Sequence, residues 1–343
     1  MSQLRVGLAV SLTGPLAAMG TATCRGLELW AEATRVALVV RDDGSGRAQV
    51  RRAVEILLDG ERVDLLAGPY SSGLTRAVAP LAEARGVVLW NHGGAADDIH
   101  RRGRRCLVGI LAPASRYLVP ALREVRTGEV AVVYRPSSGF SAGVARGAVG
   151  EAGRQGRPVR LEPYPETPHE MDAFAARVAA PPPGLLVGAG RFSDDVELAR
   201  ALRRQGVAVP TALVAAGIDA FREALGEEAD GFLGPSQWEP SSPLHPEIGP
   251  TPADFAHRFR TRFGVPPDYP AAQAYAAGLV MGRCVEMAGG TDQQALRTAA
   301  AALDVKTLLG RFRIDPVTGV QIGHDVLLVR WERGERRVLA CRG

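Results

Sequence analysis

The sequence predicts an α/β protein with two Rossmann-like lobes, each a parallel β-sheet flanked by helices. Three observations lead to this fold class. Short apolar strand patterns alternate with amphipathic helix patterns over most of the chain. A length of 343 residues exceeds that of one average domain. From Trp238 the alternation stops, and a stretch rich in Pro and Ser leads into helices and short terminal strands.

The first lobe begins with a regular series of elements. We expect strands at Leu4–Leu12, Val36–Val40, Val63–Ala67, Val87–Trp90 and Cys106–Leu111, and helices at Thr23–Thr34, Arg47–Asp59 and Leu74–Arg85. Thr23 is the predicted N-cap of the first helix, because a threonine hydroxyl can accept a hydrogen bond from a free backbone N–H group. Repetition of strand and helix forms a parallel sheet with right-handed crossovers.

A second series of the same kind forms the second lobe. We expect helices at Ser115–Arg126, Ser141–Gly153, Glu170–Ala179 and Ser193–Gln205, and strands at Glu129–Tyr134, Val159–Pro163, Leu185–Ala189 and Thr211–Ala215. This alternation predicts a second parallel sheet that is covered by helices on both faces.

The last third of the chain fits poorly as a third domain. We expect helices at Pro252–Phe263, Ala271–Ala288 and Asp292–Leu303, and strands at Arg311–Ile314, Val326–Trp331 and Arg336–Ala340. We interpret them as a return to the first lobe and a final pass to the second. Lobe I is then 1–113 plus 243–322, and lobe II is 114–242 plus 323–343. Crossings near Leu111–Ser115, Ser236–Pro243 and Ile322–Asp325 would form a three-segment hinge beside a ligand cleft.

Two loops that follow predicted strands are the strongest candidates for a binding site. They lie in VDLLAGPYSSGLTRAVAPLAEARGVVLWNHGG, and the first of them opens directly onto a helix. Open α/β sheets bind ligands at such strand ends, because free N–H groups and the positive helix end point there. Tyr70, Ser71 and Ser72 offer hydroxyl groups, while Gly93 and Gly94 let a ligand approach the backbone.

Composition excludes several functional classes. The formal net charge of the chain is +4, and the basic residues are spread along the predicted helices. The cluster Arg101, Arg102, Arg104 and Arg105 favours a solvated turn over a nucleic-acid patch. No apolar run approaches the roughly 20 residues of a membrane span. The histidines have no metal-ligand spacing, so we expect neither a metal site nor a cofactor.

Cysteine spacing and the N-terminal residues bear on the compartment. Cys24, Cys106, Cys284 and Cys341 are far apart and form no C-x-x-C motif, which predicts buried free thiols and weakly favours a reducing compartment. The segment MSQLRVGLAVSL has no leader pattern. We therefore expect a cytoplasmic protein as the chain stands, and an extracytoplasmic one if a leader has been removed.

Four motifs resemble the type I periplasmic-binding-protein superfamily, specifically its branched-chain amino-acid binding and amide-receptor families. They are VGLAVSLTGPLAAMG, DLLAGPYSSGLTRAVAPLAE, WNHGGAA and GRFRIDPVTGVQIGHDVLLVRW. Their order and spacing match over about Leu4 to Leu339. The resemblance implies a non-catalytic receptor that closes two lobes around a small polar ligand, with an ABC permease or a regulatory protein as partner. Monomer and homodimer stay open.

The resemblance also implies site residues. Ser72 matches a serine that holds the ligand carboxylate or amide, with Tyr70 beside it and a backbone contact at Gly93. The other matched positions are Phe140, at a recurring aromatic residue, and Met19, Ala95, Arg191 and Ala216. These last four depart from the family pattern, which often has an aromatic residue at Met19 and Arg191, a threonine at Ala95 and an acid at Ala216. Apart from the resemblance, Trp238 precedes the Pro-rich crossing and would lie at the cleft edge or pack in the hinge.

These departures bear on the ligand. An enclosed ammonium group without an anion carries a large desolvation cost. Loss of the acid at Ala216 and of the threonine at Ala95 therefore argues against an α-amino acid. The remaining groups suit a small carboxylate or primary amide, and Arg191 could bind a carboxylate with two hydrogen bonds if it turns inward. A solvated surface position for Arg191 is equally compatible with the sequence.

An enzyme is the alternative. Gly139-Phe140-Ser141-Ala142-Gly143 is a literal G-x-S-x-G motif between a strand and a helix, as in a hydrolase nucleophile elbow. Asp219 or Asp230 and then His324 would complete the order Ser, Asp, His. However, four residues separate the motif from its strand, and the oxyanion loop of hydrolases is missing. We therefore favour Ser141 as a helix cap over a nucleophile.

Overall fold

The structure is a computed structural model that describes residues 3–100 and 103–339. The expectations for Arg101, Arg102 and Cys341 lie outside these residues, as does the predicted strand end at Ala340. The chain divides into two compact units. The first unit comprises Met1–Ala112 and Trp238–Asp325, and the second comprises Pro113–Gln237 and Val326–Gly343.

Helices and strands alternate along both units. The first stretch contains β1 (Arg5–Val10), α1 (Ala17–Thr34), β2 (Ala37–Asp42), α2 (Arg47–Glu55), β3 (Leu65–Ala67), α3 (Ser72–Ala84), β4 (Leu89–Asn91) and β5 (Leu107–Gly109). The second contains α4 (Val119–Glu124), β6 (Val130–Tyr134), α5 (Gly139–Arg154), β7 (Val159–Pro163), α6 (Met171–Val178), β8 (Leu185–Ala189), α7 (Phe192–Arg204), β9 (Thr211–Leu213), α8 (Asp219–Leu225) and β10 (Leu233–Ser236). The last contains α9 (Pro252–Phe263), α10 (Tyr269–Ala288), α11 (Gln293–Ala302), β11 (Val305–Thr307), β12 (Gly310–Phe312), β13 (Leu327–Glu332) and β14 (Glu335–Leu339).

The first unit is built on a parallel sheet of strand order β2-β1-β3-β4-β5. Helices α1 and α10 pack closely on it, and an added Cβ at Gly26 would lie 2.1 Å from the Ala271 carbonyl oxygen. Leu8, Leu65 and Trp90 are fully buried in its core. Helices from the last third of the chain thus complete the core that the first third begins.

The second unit contains a seven-stranded sheet of order β14-β13-β10-β9-β8-β6-β7. Strands β6 to β10 pair in parallel, whereas β13 and β14 add an antiparallel edge. Phe174 and Phe221 are buried against one face of this sheet. The predicted fold class, parallel sheets flanked by helices in two Rossmann-like bodies, is confirmed.

Several local expectations are corrected. Helix α1 begins at Ala17, so Thr23 is a buried residue within the helix and the N-cap assignment was wrong. Within this helix Gly20 lies directly against the residue that follows β1, since an added Cβ there would lie 1.8 Å from the Ser11 carbonyl oxygen. Strand β10 was missed, because its sequence LGPS contains Gly and Pro, which disfavour strands.

The borders of the two units also differ slightly from the expected ones. The first unit resumes at Trp238 rather than at residue 243, and it ends at Asp325 rather than at 322. Trp238 is the physical reason for the earlier border. Its ring packs edge-on against Phe255 of α9, with ring centroids 5.6 Å apart, inside the core of the first unit.

Candidate functional site

The two strand-end loops of the first unit lie side by side. Asn91 shapes the second loop: its Oδ1 accepts a hydrogen bond from the Gly94 N–H group and its Nδ2 donates to the Gly94 carbonyl, both at 2.8 Å. The Ser71 N–H group donates to the Gly93 carbonyl at 3.2 Å. The Ala96 N–H group donates to Ser72 Oγ at 3.0 Å. The structure therefore brings together the predicted hydroxyl and glycine residues of the first unit.

Glycine is required where these loops meet. An added Cβ at Gly93 would lie 2.6 Å from Tyr70 Cα and 2.7 Å from the Pro69 carbonyl oxygen. An added Cβ at Gly94 would lie 2.6 Å from Thr75 Oγ1. The glycines thus allow close packing of one loop on the other. Gly93 is half-buried, whereas Gly94 is buried.

Tyr70 has a partner that sequence reasoning missed. Its hydroxyl forms a hydrogen bond with the hydroxyl of Tyr269, the first residue of α10, and the ring centroids are 6.4 Å apart. Burial raises the pKa of Tyr70 to about 12, so the phenol stays neutral. A separation of 199 positions leaves no local sequence signal for this pair.

The histidines near these loops are neutral. Burial lowers the pKa of His92 to about 4 and that of His100 also to about 4. His100 lies between Asn91 Nδ2, at 3.3 Å from its Nε2, and the Thr318 carbonyl, at 3.2 Å from its Nδ1. Backbone N–H groups and hydroxyls, rather than imidazolium cations, are therefore the groups this part of the first unit offers.

Three other candidates of the first unit have different surroundings. Met19 is half-buried in the first turns of α1. Ala95 is buried between Gly94 and Ala96. Trp238 is 4% exposed in the core, so the packing role that the sequence left open describes it better than a position at the edge of a cleft.

The second-unit candidates lie where parallel strands end. Phe140 is in the first turn of α5 and packs edge-on against Tyr117, with centroids 5.2 Å apart. Arg191 precedes α7 and is exposed, and its guanidinium forms no ion pair with any residue that the structure describes. Ala216 is fully buried, and its carbonyl accepts a hydrogen bond from Trp331 Nε1 at 2.8 Å.

The two aspartates at the start of α7 are buried rather than ordinary helix-start acids. Asp194 accepts two hydrogen bonds from Arg135, at 2.5 Å from Nε and 2.9 Å from Nη2. Burial opposes ionisation of Asp194, but the bonds from Arg135 outweigh it and lower the pKa of this carboxyl. Asp195 accepts from Tyr164, and burial raises its pKa to about 6. Sequence reasoning gave Arg135 no role.

The environment of Ser141 gives no support to the hydrolase alternative. Its Oγ donates to the Ala189 carbonyl and accepts from the Arg135 N–H group at 2.7 Å, so the hydroxyl is engaged on both sides. Ser138, not Ser141, caps α5: its Oγ accepts from the Ser141 N–H group at 3.3 Å. The cap assignment was therefore displaced by one helical turn.

The proposed triad partners also have other neighbours. Asp219 forms an ion pair with Arg336 at 3.2 Å. Asp230 accepts from the N–H groups of Arg333 and Gly334 in the turn between β13 and β14, at 2.9 and 3.1 Å. His324 is 2% exposed and belongs to the first unit.

Three cysteines are free thiols in the described part of the chain: Cys106 and Cys284 are buried as expected, whereas Cys24 is half-buried. Burial raises the pKa of Cys24 to about 11 and that of Cys284 to about 12, and it also raises the pKa of Cys106. Across residues 3–100 and 103–339, no cluster of His, Cys, Asp or Glu is arranged to hold a metal ion. Over the same residues, no helix is both long and apolar enough to cross a membrane.

Two α/β units that share an interrupted chain, with polar loops at their strand ends, are the architecture of two-domain solute-binding proteins. The family model described as periplasmic binding protein matches residues 3–336. The chain therefore belongs to the periplasmic binding protein family, which confirms the resemblance inferred from its motifs.

Individual relatives are distant but cover nearly the whole chain. A Leu/Ile/Val-binding protein homolog of Brucella abortus is 23% identical, over 90% of this chain and 84% of its own length. A leucine-binding protein of Thermotoga maritima superposes with a TM-score of 0.83 at 18% identity, covering 98% of both chains. A solute-binding protein of a Rhodopseudomonas palustris ABC transporter, solved with benzoate, has a TM-score of 0.78 at 19% identity, over 98% of this chain and 96% of its own.

Proposed function

We propose that the protein is a non-catalytic solute receptor for a small organic carboxylate or primary amide that carries no α-amino group. One observation carries this proposal. At the strand ends of the second unit, the oxygens of the buried acids Asp194 and Asp195 already accept hydrogen bonds from the protein. Ala216 contributes a methyl group and is buried. An ammonium group would lose its hydration there without gaining a carboxylate.

The first unit has a polar edge of its own that suits a carboxylate or amide. Tyr70, Ser71, Ser72 and Gly93 form one continuous polar edge, and α3 begins at Ser72. Free N–H groups at a helix start stabilise a carboxylate and donate equally well to an amide oxygen. We therefore assign this edge to the carboxylate or amide of the ligand.

Arg191 is the residue of the second unit that favours an anion. It stands where the resemblance implies a ligand contact, and its guanidinium has no ion-pair partner among the described residues. A guanidinium can bind a carboxylate with two parallel hydrogen bonds, whereas it repels an ammonium group. Phe140 offers an aromatic face for the apolar part of the ligand.

The relatives are compatible with more than one ligand class. The Thermotoga protein is a leucine-binding protein, whereas the Rhodopseudomonas structure holds benzoate, a carboxylate without an amino group. Membership of the family therefore does not select between these classes. The residues at positions 95, 191 and 216 of this chain favour the second class.

A thermal-shift panel of matched ligand pairs tests the proposal. Leucine and 4-methylpentanoate share a carbon skeleton and differ by the amino group, as do valine and 3-methylbutanoate; benzoate and 4-methylpentanamide complete the panel. A compound at a hundredfold excess over its Kd should stabilise the protein by about 2.7 kcal/mol. We expect stabilisation by deaminated compounds and none by leucine or valine. The reverse pattern would refute the ligand assignment.

A serine variant then tests where the ligand binds. Ser72→Ala removes the hydroxyl that we assign to the ligand carboxylate or amide, so the binding free energy for the selected compound should weaken by roughly 1–3 kcal/mol. The exposed Ser241→Ala is the matched control and should bind like the parent protein. Unchanged calorimetric affinity in Ser72→Ala would remove this serine from the site.

Absence of catalysis and the biological partner form the remaining part of the proposal. Because both sides of the Ser141 hydroxyl are hydrogen-bonded, a fluorophosphonate probe should leave Ser141 unlabelled. Labelling of Ser141 would restore the hydrolase alternative. An ABC permease partner predicts ligand-stimulated ATP hydrolysis by that permease after reconstitution with this protein, whereas a regulatory partner predicts none.

A further inference from the structure

A network of charged and polar residues lies in the second unit where its parallel strands end, centred on the first turn of α7. Asp195 is 1% exposed and accepts three hydrogen bonds. Its Oδ1 accepts from the Tyr164 hydroxyl at 2.7 Å and from the Gly190 N–H group at 2.8 Å. Its Oδ2 accepts from the Ala215 N–H group at 3.0 Å. One carboxylate thus connects the residues that follow β7, β8 and β9.

Its neighbour Asp194 connects a fourth strand. Arg135 follows β6 and holds Asp194 through two hydrogen bonds, while its Nη2 also donates to the Pro165 carbonyl at 2.9 Å. The Arg135 N–H group donates to Ser141 Oγ, which in turn donates to the Ala189 carbonyl. The serine of the G-x-S-x-G motif therefore joins the start of α5 to the end of β8.

Each anchored residue is next to a candidate ligand contact. Gly190 precedes Arg191, Ala215 precedes Ala216, and Ser141 follows Phe140. Carboxylates that accept backbone N–H groups fix a loop more firmly than neutral acceptors do, because charge-assisted hydrogen bonds are about twice as strong. In a binding site, such supporting groups hold the ligand-contacting residues in precise positions.

We propose that Asp195 is a positioning residue for ligand binding: its carboxylate holds the loops that carry Arg191 and Ala216 in the conformation that receives the ligand. This inference rests on the proposed function. The inference deepens the proposed function, because Asp195 makes no ligand contact of its own and acts by holding the residues that do. The ionised form of Asp195 is the form that supports binding. Protonation of either oxygen turns an acceptor into a donor that faces another donor.

Compared with Tyr164, Arg135 and Asp194 around it, Asp195 is the group whose charge changes between pH 5.5 and 7.5. Tyr164 stays neutral, because burial raises its pKa well above the ordinary value. Arg135 and Asp194 keep their charges, since their mutual hydrogen bonds raise the pKa of the first and lower that of the second. Glu166 reaches Arg135 from an exposed position, at 3.4 Å.

The experiment measures binding and loop conformation separately. Calorimetry with 4-methylpentanoate gives the Kd between pH 5.5 and 7.5 for the parent protein, Asp195→Asn and Tyr164→Phe. Amide ¹⁵N NMR signals of Gly190 and Ala215 follow the loops without ligand. Asp172→Asn is the matched control, because Asp172 is likewise a hydrogen-bonded aspartate on a helix of this unit but lies exposed on α6.

The expected results differ between the variants. Parent affinity should fall about fourfold from pH 7.5 to 5.5, as the ionised fraction falls. Asp195→Asn should bind about tenfold more weakly at pH 7.5, with little pH dependence, because one donor loses its acceptor. Tyr164→Phe should move the midpoint of the pH dependence of the affinity to higher pH, because the hydrogen bond that is lost stabilises the carboxylate. Asp172→Asn should match the parent protein.

Two results would overturn the proposal. One is an Asp195→Asn protein with parent affinity and parent pH dependence. The other is that the amide signals of Gly190 and Ala215 do not shift with the same pH midpoint in the parent protein. If Asp195→Asn does not fold, an unshifted midpoint in Tyr164→Phe decides against the proposal. Failure of 4-methylpentanoate to bind the parent protein counts against the proposed ligand class, and the amide signals then decide the positioning role alone.

Discussion

Gly93→Ala should separate the two ligand loops of the first unit. The added Cβ would lie 2.6 Å from Tyr70 Cα, whereas ordinary contacts begin at 3.4 Å. The loops must therefore move apart by about 0.8 Å or distort, which costs about 1–3 kcal/mol as in other overpacked sites. The hydrogen bond from Ser71 N–H to the Gly93 carbonyl would weaken as well, at a net cost of about 0.5–1.5 kcal/mol.

The assay combines stability and binding. Urea unfolding followed by tryptophan fluorescence reports mainly on the first unit, because Trp30, Trp90 and Trp238 all belong to it. The free energy of unfolding should fall by roughly 1.5–4.5 kcal/mol, the sum of the two costs. Affinity for the compound selected by the ligand panel should fall too, since Tyr70 and the Gly93 backbone are displaced together.

Gly73→Ala is the matched control in the neighbouring loop. Gly73 is the second residue of α3, and an added Cβ there would meet Ser71 Oγ at 3.8 Å, an ordinary contact. Alanine should therefore leave the packing of the two loops intact and the free energy of unfolding close to that of the parent protein. Equal unfolding midpoints for Gly93→Ala and the parent protein would refute the close-packing argument.

Two further predictions concern buried charge. Arg135→Met should destabilise the second unit by about 3–5 kcal/mol, because Asp194 would remain buried without its cation; the exposed Arg204→Met should cost less than about 1 kcal/mol. Urea titrations followed by the indole ¹⁵N NMR signal of Trp331, which belongs to the second unit, measure both variants. His100→Gln tests pH dependence: the folded state holds the pKa of His100 at about 4, below its ordinary 6.5, so its contribution to stability is present above pH 6.5 and declines toward pH 4. The stability advantage of the parent protein over this variant should shrink by about 2.5 kcal/mol between pH 7.5 and 4.5, and a constant difference would contradict the assignment.

The sequence predicted elements whose own residues carry the signal. Strands β7 and β8 and helix α9 have the expected bounds, because apolar periodicity and helix-start residues mark them locally. Strand β10 escaped prediction because its pairing with β9 and β13 is decided by strands elsewhere in the chain. Its Gly234 permits a contact that no local pattern reports, with an added Cβ lying 2.3 Å from Gly217 N.

The candidate site follows the same division. The loops at Tyr70–Ser72 and Gly93–Ala95 were predictable, since small polar residues after two consecutive strands favour a ligand edge. The pairing of Tyr70 with Tyr269 was not, because it joins residues far apart in the chain. Assignment of these loops, of Arg191 and of Ala216 to the ligand stays a prediction that the panel and the variants test.

Ser141 shows why a short motif needs its surroundings before a role is assigned. Ser141→Ala would remove the acceptor of the buried Arg135 N–H group and the donor to the Ala189 carbonyl, so the second unit should lose about 2–4 kcal/mol of unfolding free energy. Ser138→Ala would remove only a helix cap, at a cost of about 1 kcal/mol. The indole ¹⁵N NMR signal of Trp331, which belongs to the second unit, follows the unfolding of both variants in urea. A smaller loss in Ser141→Ala than in Ser138→Ala would mean that the hydroxyl does not join α5 to β8, and the anchoring of Phe140 would then need another explanation.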